Sequence, residues 1–237
     1  MPYRPQLKNL VELDAVGSTN DHAKELARNG VAEGTVVWAQ EQTAGRGRQG
    51  NSWVSNRGNL FMSMVLRPGK QPLEAGQLSF VAAVALAETL KELLPASVSV
   101  ALKWPNDLLL QGKKSAGILI ESEEGLVIVG IGVNIAHAPE GAGSLQSFGV
   151  AAEAGLVLEK LAQRLISLYG LWQKQGFGPV RDSWLGFAHN IGNTINVRLP
   201  RETFAGKFIG IDATGALQVE MQDGTQRHIS SGEVYNI

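Results

Sequence analysis

Apolar residues along this chain follow two different periods. Leu78, Val81, Ala82, Ala85, Leu86 and Leu93 recur at helical spacing, with Thr89 on the same face. Their neighbours are also largely apolar, so the pattern predicts a buried central helix, ended by Pro95. Leu158, Leu161, Leu165, Tyr169 and Trp172 mark one side of a second long helix over about 156–175. Ser18, Thr19 and Asn20 are cap-type residues opening a short helix, 21–29, that stops at Gly30. Short apolar runs predict strands at 35–40 and 61–66. Four more, at 98–104, 107–110, 117–121 and 126–133, follow closely with turn residues between them, as antiparallel neighbours do. From about Asn190 the runs shorten to 194–199, 205–212, 217–221 and 226–230, with turns at Thr214-Gly215 and Asp223-Gly224. That spacing predicts a small all-β module, a barrel. Two stretches, 43–58 and 137–149, carry no apolar period and are expected to be loops.

Composition narrows the classes. With 237 residues, 44% hydrophobic and 18% charged, the chain can bury a core in one large domain, or in a large domain plus a small one. The net charge of −1 gives no global field toward nucleic acid or membrane, so any cationic patch must be local. The absence of cysteine excludes disulfides, thiolate metal sites and a cysteine nucleophile. His22, His137, His189 and His228 stand too far apart for metal-ligand spacing. The N-terminal stretch has no apolar run of signal-peptide type, and the runs at 80–87 and 126–131 are too short to cross a bilayer. A cytoplasmic protein with no membrane partner is the expectation.

Gly45-Arg46-Gly47-Arg48-Gln49-Gly50 matches the dinucleotide fingerprint formally. That fingerprint needs a helix opening within it, but 51–55 lead into a strand, so the dinucleotide reading is rejected. What remains is either a surface loop with solvated arginines or a loop that closes over phosphate oxygens. Lys103-Trp104-Pro105-Asn106-Asp107 reads as a turn with directed flanks, or as an ordinary turn. Lys113-Lys114 enters the run Ser115-Ala116-Gly117-Ile118-Leu119-Ile120-Glu121, and Gly130 to Asn134 ends another. Together Arg46, Arg48, Lys103 and Lys114 stand beside loop backbone with few acids adjacent. Two like charges at about 4 Å repel by about 4 kcal/mol at an effective dielectric near 20, and such cations would offset that. The residues themselves reach an anionic ligand, phosphate-bearing, and no further.

The stretches Asp14 to Asn20, Ala44 to Gly50, Lys103 to Asp107 and Lys114 to Glu121, in this order, resemble the biotin protein ligase family. The likeness runs from about Val11 to the C-terminus. It implies an α+β fold: a class II aminoacyl-tRNA synthetase-like mixed or antiparallel sheet with helices over 1–188, then an SH3-like β-barrel over 189–237. It implies that biotin and MgATP give biotinyl-5′-AMP and pyrophosphate, and that biotin then passes to a lysine of a biotin carboxyl carrier protein. ATP, magnesium and biotin are then co-substrates, with no permanently bound cofactor. By the same resemblance Ser18, Thr19, Asn20, Gln42, Gly45, Arg46, Gly47, Lys114 and Gly117 bind biotin. Arg46, Arg48, Trp53, Lys103, Asn106, Lys114 and Asn134 take the nucleotide or adenylate. Arg48, Lys114 and Asp107 are the catalytic candidates: Arg48 on the adenylate phosphate, Lys114 bridging carboxylate and α-phosphate, Asp107 either beside magnesium or orienting the incoming amine.

Family members usually carry more basic residues where this chain has Gln49, Asn51 and Ser52, which implies weaker phosphate affinity or adenylate retention, or another cation in their place. The likeness begins close to Met1, so no DNA-binding domain and no DNA partner are expected; a homodimer is the open guess. Two other readings stand beside this one: a lipoate or octanoate ligase on a related fold, and a non-catalytic biotin binder.

Overall fold

The computed structural model describes residues 3–69, 76–123 and 125–236. Its first unit is built on β1 (Leu10–Leu13), α1 (Thr19–Arg28), β2 (Val36–Ala39) and β3 (Leu60–Leu66). There follow α2 (Leu78–Leu93), β4 (Val100–Lys103), β5 (Asp107–Leu110), β6 (Lys113–Glu123), β7 (Leu126–Val133), α3 (Ala154–Gln175) and α4 (Gly178–Gly186). The C-terminal strands are β8 (Thr194–Arg198), β9 (Thr203–Ile211), β10 (Leu217–Glu220), β11 (Gln226–Ile229) and β12 (Glu233–Asn236).

The first seven strands form one sheet in the order β1-β2-β3-β7-β6-β5-β4. Only the β1–β2 pair within it is parallel, so the sheet is mixed but mostly antiparallel. Alternation along its strands sorts side chains to two faces. Val36, Trp38, Met64 and Val129 join the large core with α2 and α3, whereas Val37, Val65 and Ile128 meet Ala23 and Ala27 of α1. Helix α2 is buried along nearly its whole length, because the sheet covers one side and α3 and α4 the other. The expected antiparallel run from β4 to β7 is present.

The C-terminal strands make a five-stranded antiparallel sheet, β11-β10-β9-β8-β12. It docks on the first unit through its turn at 212–216. Trp104 Nε1 donates to Gly215 O at 3.0 Å, Gln77 Nε2 donates to Ala213 O at 3.2 Å, and Phe80 packs against Gly215. No helix among the described residues is long and apolar enough to cross a membrane.

Sequence pattern passed over β1, α4 and β12. The first and last are four-residue strands, too short for a period to register. Helix α4 opens on Gly178-Pro179, which reads as a turn, yet proline fits a first helical turn because that N–H has no helical partner anyway. Strand β6 begins at Lys113 rather than Gly117, so Lys114 belongs to the sheet and not to a hairpin tip.

Candidate active site

A cleft of about 300 Å³ opens over the first part of β6, the carboxyl-side half of β7 and the N-terminus of α1. One end is uncharged and polar. Ser18 is the N-cap residue of α1 but makes no side-chain capping bond, so its hydroxyl is not spent on the helix. Thr19 and Asn20 are buried. Thr19 N–H donates to Gln42 Oε1 at 2.8 Å, and the Thr19 hydroxyl lies 3.1 Å from the same oxygen. Ser63 Oγ is 2.8 Å from Thr19 Oγ1 and 2.6 Å from Asn20 Oδ1.

Two glycines of β7 shape the floor. A Cβ on Gly130 would lie 2.2 Å from Asn20 Oδ1, and one on Gly132 would lie 2.5 Å from Trp53 Nε1. Any larger residue at either position would displace a cleft side chain. Trp53 lies across Gly132 and Gly117, so its ring occupies the room that Gly117 leaves; its indole N–H is buried without a partner.

The other end carries charge. The Gly/Arg loop is pinned by Gly47 N–H donating to Asn51 O at 2.7 Å and Trp53 N–H donating to Gly45 O at 2.9 Å. Between these ties lies a 3₁₀ turn, Arg48–Gly50, rather than the start of a long helix. Arg46 grips Asp21 with two hydrogen bonds of 2.6 Å and stands 3.6 Å from Glu121. Those bonds hold the Asp21 carboxyl below the usual carboxylate range despite its partial burial. Arg48 Nη1 approaches Asn106 Oδ1 at 3.4 Å. The β4–β5 turn contains a cis Trp104–Pro105 peptide and is tied to β6 by Asn106 Nδ2 donating to Ile118 O at 2.7 Å. Lys114 Nζ is 2.7 Å from Asp107 Oδ1, an ion pair outside directed hydrogen-bond geometry. Lys114 Nζ also stands 5.6 Å from the Trp53 ring centre.

Ser18, Thr19, Asn20, Gln42, Arg46, Gly47, Arg48, Trp53, Lys103, Asn106, Asp107, Lys114 and Gly117 therefore line one cleft. Gly45 and Asn134 do not. Gly45 is packed under the loop against Ser55 and the Trp53 carbonyl, and buried Asn134 donates to Gly143 O at 3.1 Å. Sequence reasoning missed the mouth. Gly232 to Tyr235 of the C-terminal sheet line it, with Lys103 Nζ 5.4 Å and the Arg198 guanidinium 4.6 Å from the Tyr235 ring centre. No local signal marks this wall, because β12 has only four residues and reaches the cleft through the docking of the C-terminal sheet.

The biotin/lipoate A/B protein ligase family model matches residues 13–136, and the biotin protein ligase C-terminal domain model matches 191–235. The chain is 41% identical to the biotin--[acetyl-CoA-carboxylase] ligase of Paracoccus denitrificans, across 92% of this chain and 96% of that protein. The chain belongs to the biotin protein ligase family. This ligase is also 36% identical to the Bacillus subtilis bifunctional ligase/repressor BirA, over 94% of its own length and 73% of that protein's. Among solved structures it resembles the Aquifex aeolicus biotin protein ligase in complex with biotin and ATP, at a TM-score of 0.84 and 31% identity, covering 96% and 98% of the two chains. The Leishmania major ligase in complex with biotinyl-5-AMP superposes at 0.69 with 28% identity, covering 95% of this chain and 100% of that one.

Proposed function

We propose that this ligase joins biotin to ATP as biotinyl-5′-AMP, releases pyrophosphate, and passes biotin to a lysine of a biotin carboxyl carrier protein. One observation carries the reading: Arg46, Arg48, Lys103 and Lys114, from three separate segments, face one cleft whose opposite end is uncharged and polar. A carboxylate and a triphosphate repel each other, and cations at their meeting point offset that before reaction begins. The polar end receives the ureido ring, whose groups need partners once buried. Lys114 lies where carboxylate and α-phosphate meet, and Arg48 holds the phosphate. The biotin carboxylate oxygen attacks the α-phosphorus, and the bond to the β-phosphate oxygen breaks as pyrophosphate leaves. The carrier amine then attacks the acyl carbon and AMP departs. No covalent enzyme intermediate is needed; positioning and charge stabilisation lower both barriers.

Magnesium screens phosphate charge when it arrives with the nucleotide. The described residues hold no cluster of three or more acidic, histidine or cysteine side chains, so Asp107 is the protein group we assign near the ion or near the incoming amine. We divide the chain into a catalytic part, 1–188, and a C-terminal part, 189–237, that contributes Tyr235 to the nucleotide side. We place the reaction in the cytoplasm, with the carrier protein as partner. The polar network around Thr19 and Gln42 disfavours a lipoate or octanoate ligase, whose substrate tail offers no N–H. Pyrophosphate release with ATP and magnesium is expected with biotin and not without it or with lipoate. Biotin-independent release, or tight biotin binding with no AMP formed, would refute the activity.

A further inference from the structure

The hydrogen bonds under the polar end of the cleft have an enforced direction. Lys24 Nζ can only donate, and it does so to Glu121 Oε1 at 2.8 Å. Asn20 Nδ2 donates to the other oxygen, Glu121 Oε2, at 2.6 Å. Burial pushes the Glu121 carboxyl up, but the bonds from Lys24 and Asn20 and the charges of Lys24 and Arg46 outweigh it and keep it ionised. An ionised carboxylate only accepts, so the Asn20 amide cannot turn over. Asn20 Oδ1 therefore faces Ser63 and must receive its one hydroxyl proton, at 2.6 Å. Ser63 has nothing left to donate to Thr19, 2.8 Å away.

The other side of Thr19 is equally constrained. Gln42 Nε2 donates to Ser55 Oγ at 3.0 Å, whose own proton goes to the Trp53 carbonyl at 2.9 Å. Gln42 Oε1 thus faces Thr19 as an acceptor. The single Thr19 proton has two takers inside the protein, Ser63 Oγ and Gln42 Oε1, and neither can return one. None remains for a ligand.

We propose that Glu121 is a positioning residue that, through Asn20 and Ser63, presents the Thr19 hydroxyl to the cleft as lone pairs alone and so selects a ring N–H donor. This rests on the reading of biotin as substrate. It gives the last residue of the Lys114-to-Glu121 stretch a specificity role, exerted from below the cleft. A site with only acceptors rejects a ring atom that cannot donate, because two lone pairs would then face each other in a buried place.

The test compares biotin with the two cyclic carbamates in which one ureido N–H is replaced by oxygen. Binding to the whole protein is measured by calorimetry without ATP. Wild type should bind biotin about a hundredfold more tightly than the poorer carbamate. Glu121→Gln keeps the shape but not the direction. Its carbonyl must face Lys24, its amide turns Asn20 over, Ser63 then donates to Thr19, and the Thr19 proton keeps one internal taker in place of two, Gln42 Oε1 at 3.1 Å, from which a ligand acceptor can draw it. The preference should shrink by about tenfold or more. Thr19→Val, which needs no rearrangement, should also shrink it. A merely structural Glu121 would weaken all three ligands alike, and an unchanged preference in either variant overturns the proposal. Failure of wild type to bind biotin at all would instead sink the substrate assignment.

Discussion

The two ends of the cleft are built on opposite plans. At the uncharged polar end, Thr19, Asn20, Gln42, Ser55 and Ser63 satisfy one another in a connected set of bonds, so the pocket is shaped in advance. At the cationic end three of the four cations lean on a local stand-in, Arg46 on Asp21, Lys114 on Asp107 and Lys103 on the Tyr235 ring, while Arg48 only approaches the Asn106 amide oxygen. A neutral ring binds weakly to each contact, so recognition depends on geometry fixed beforehand. Phosphates supply their own charge and can displace a partly exposed carboxylate, whose pairing is worth little in solvent. Under the proposed activity, one end supplies selectivity, and the other supplies charge that is released when substrate arrives.

The sharpest way to break that contrast is Lys114→Ala. Adenylation should fall by roughly 10²-fold or more, about 3 kcal/mol, from loss of one charge-assisted contact. Biotin-dependent pyrophosphate release within threefold of wild type would show that Lys114 does not serve the reaction. Arg48→Gly should act later. The loop loses its guanidinium beside Asn106, and biotinyl-AMP should escape about tenfold faster in a trapping assay, with its formation less affected. Unchanged retention would remove Arg48 from the phosphate end.

Gly130→Ala tests the preset end. Its Cβ would fall 2.2 Å from Asn20 Oδ1, so Asn20 must leave Ser63 or the strand must shift. Overpacking of this kind costs about 1–3 kcal/mol, and biotin affinity should drop about tenfold while ATP affinity holds. Equal loss of both ligands would mean that the ends are not independent.

Much of this arrangement was legible in the residues before any coordinates. The runs forming β4 to β7 carry strong patterns with turns between them, and Lys103 and Lys114 lie at their ends, so the convergence of these two follows once the strands are antiparallel neighbours. Illegible were contacts that depend on distant chain segments. Asn134 ends β7 beside the cleft motifs in sequence, yet tertiary packing turns its amide to Gly143. Tyr235 lies in a four-residue strand with no period of its own and reaches the cleft only because the C-terminal sheet docks there. Ser63 looks like any residue in an apolar strand; its importance comes from meeting Asn20 and Thr19 across 43 and 44 positions.

The docking turn offers the smallest and most selective probe. Burial raises the Asp212 carboxyl, but hydrogen bonds from His228, the Thr214 hydroxyl and two backbone N–H groups outweigh it and bring it down to about 2. A carboxyl depressed in the folded state stabilises the fold above its unfolded value near 4, and that contribution vanishes as pH falls through about 2. Solvent screening at this surface turn discounts that contribution to about 1 kcal/mol at neutral pH. Asp212→Asn should lower the urea midpoint at pH 7, and the gap from wild type should close as pH falls from about 4 to about 2. The same turn carries Gly215, which accepts the Trp104 N–H, so the wall holding Tyr235 should loosen with it. The KM for ATP should then rise a few-fold, about 1 kcal/mol, while biotin affinity stays constant. A variant that instead weakened biotin and spared ATP would reverse the assignment of the two ends.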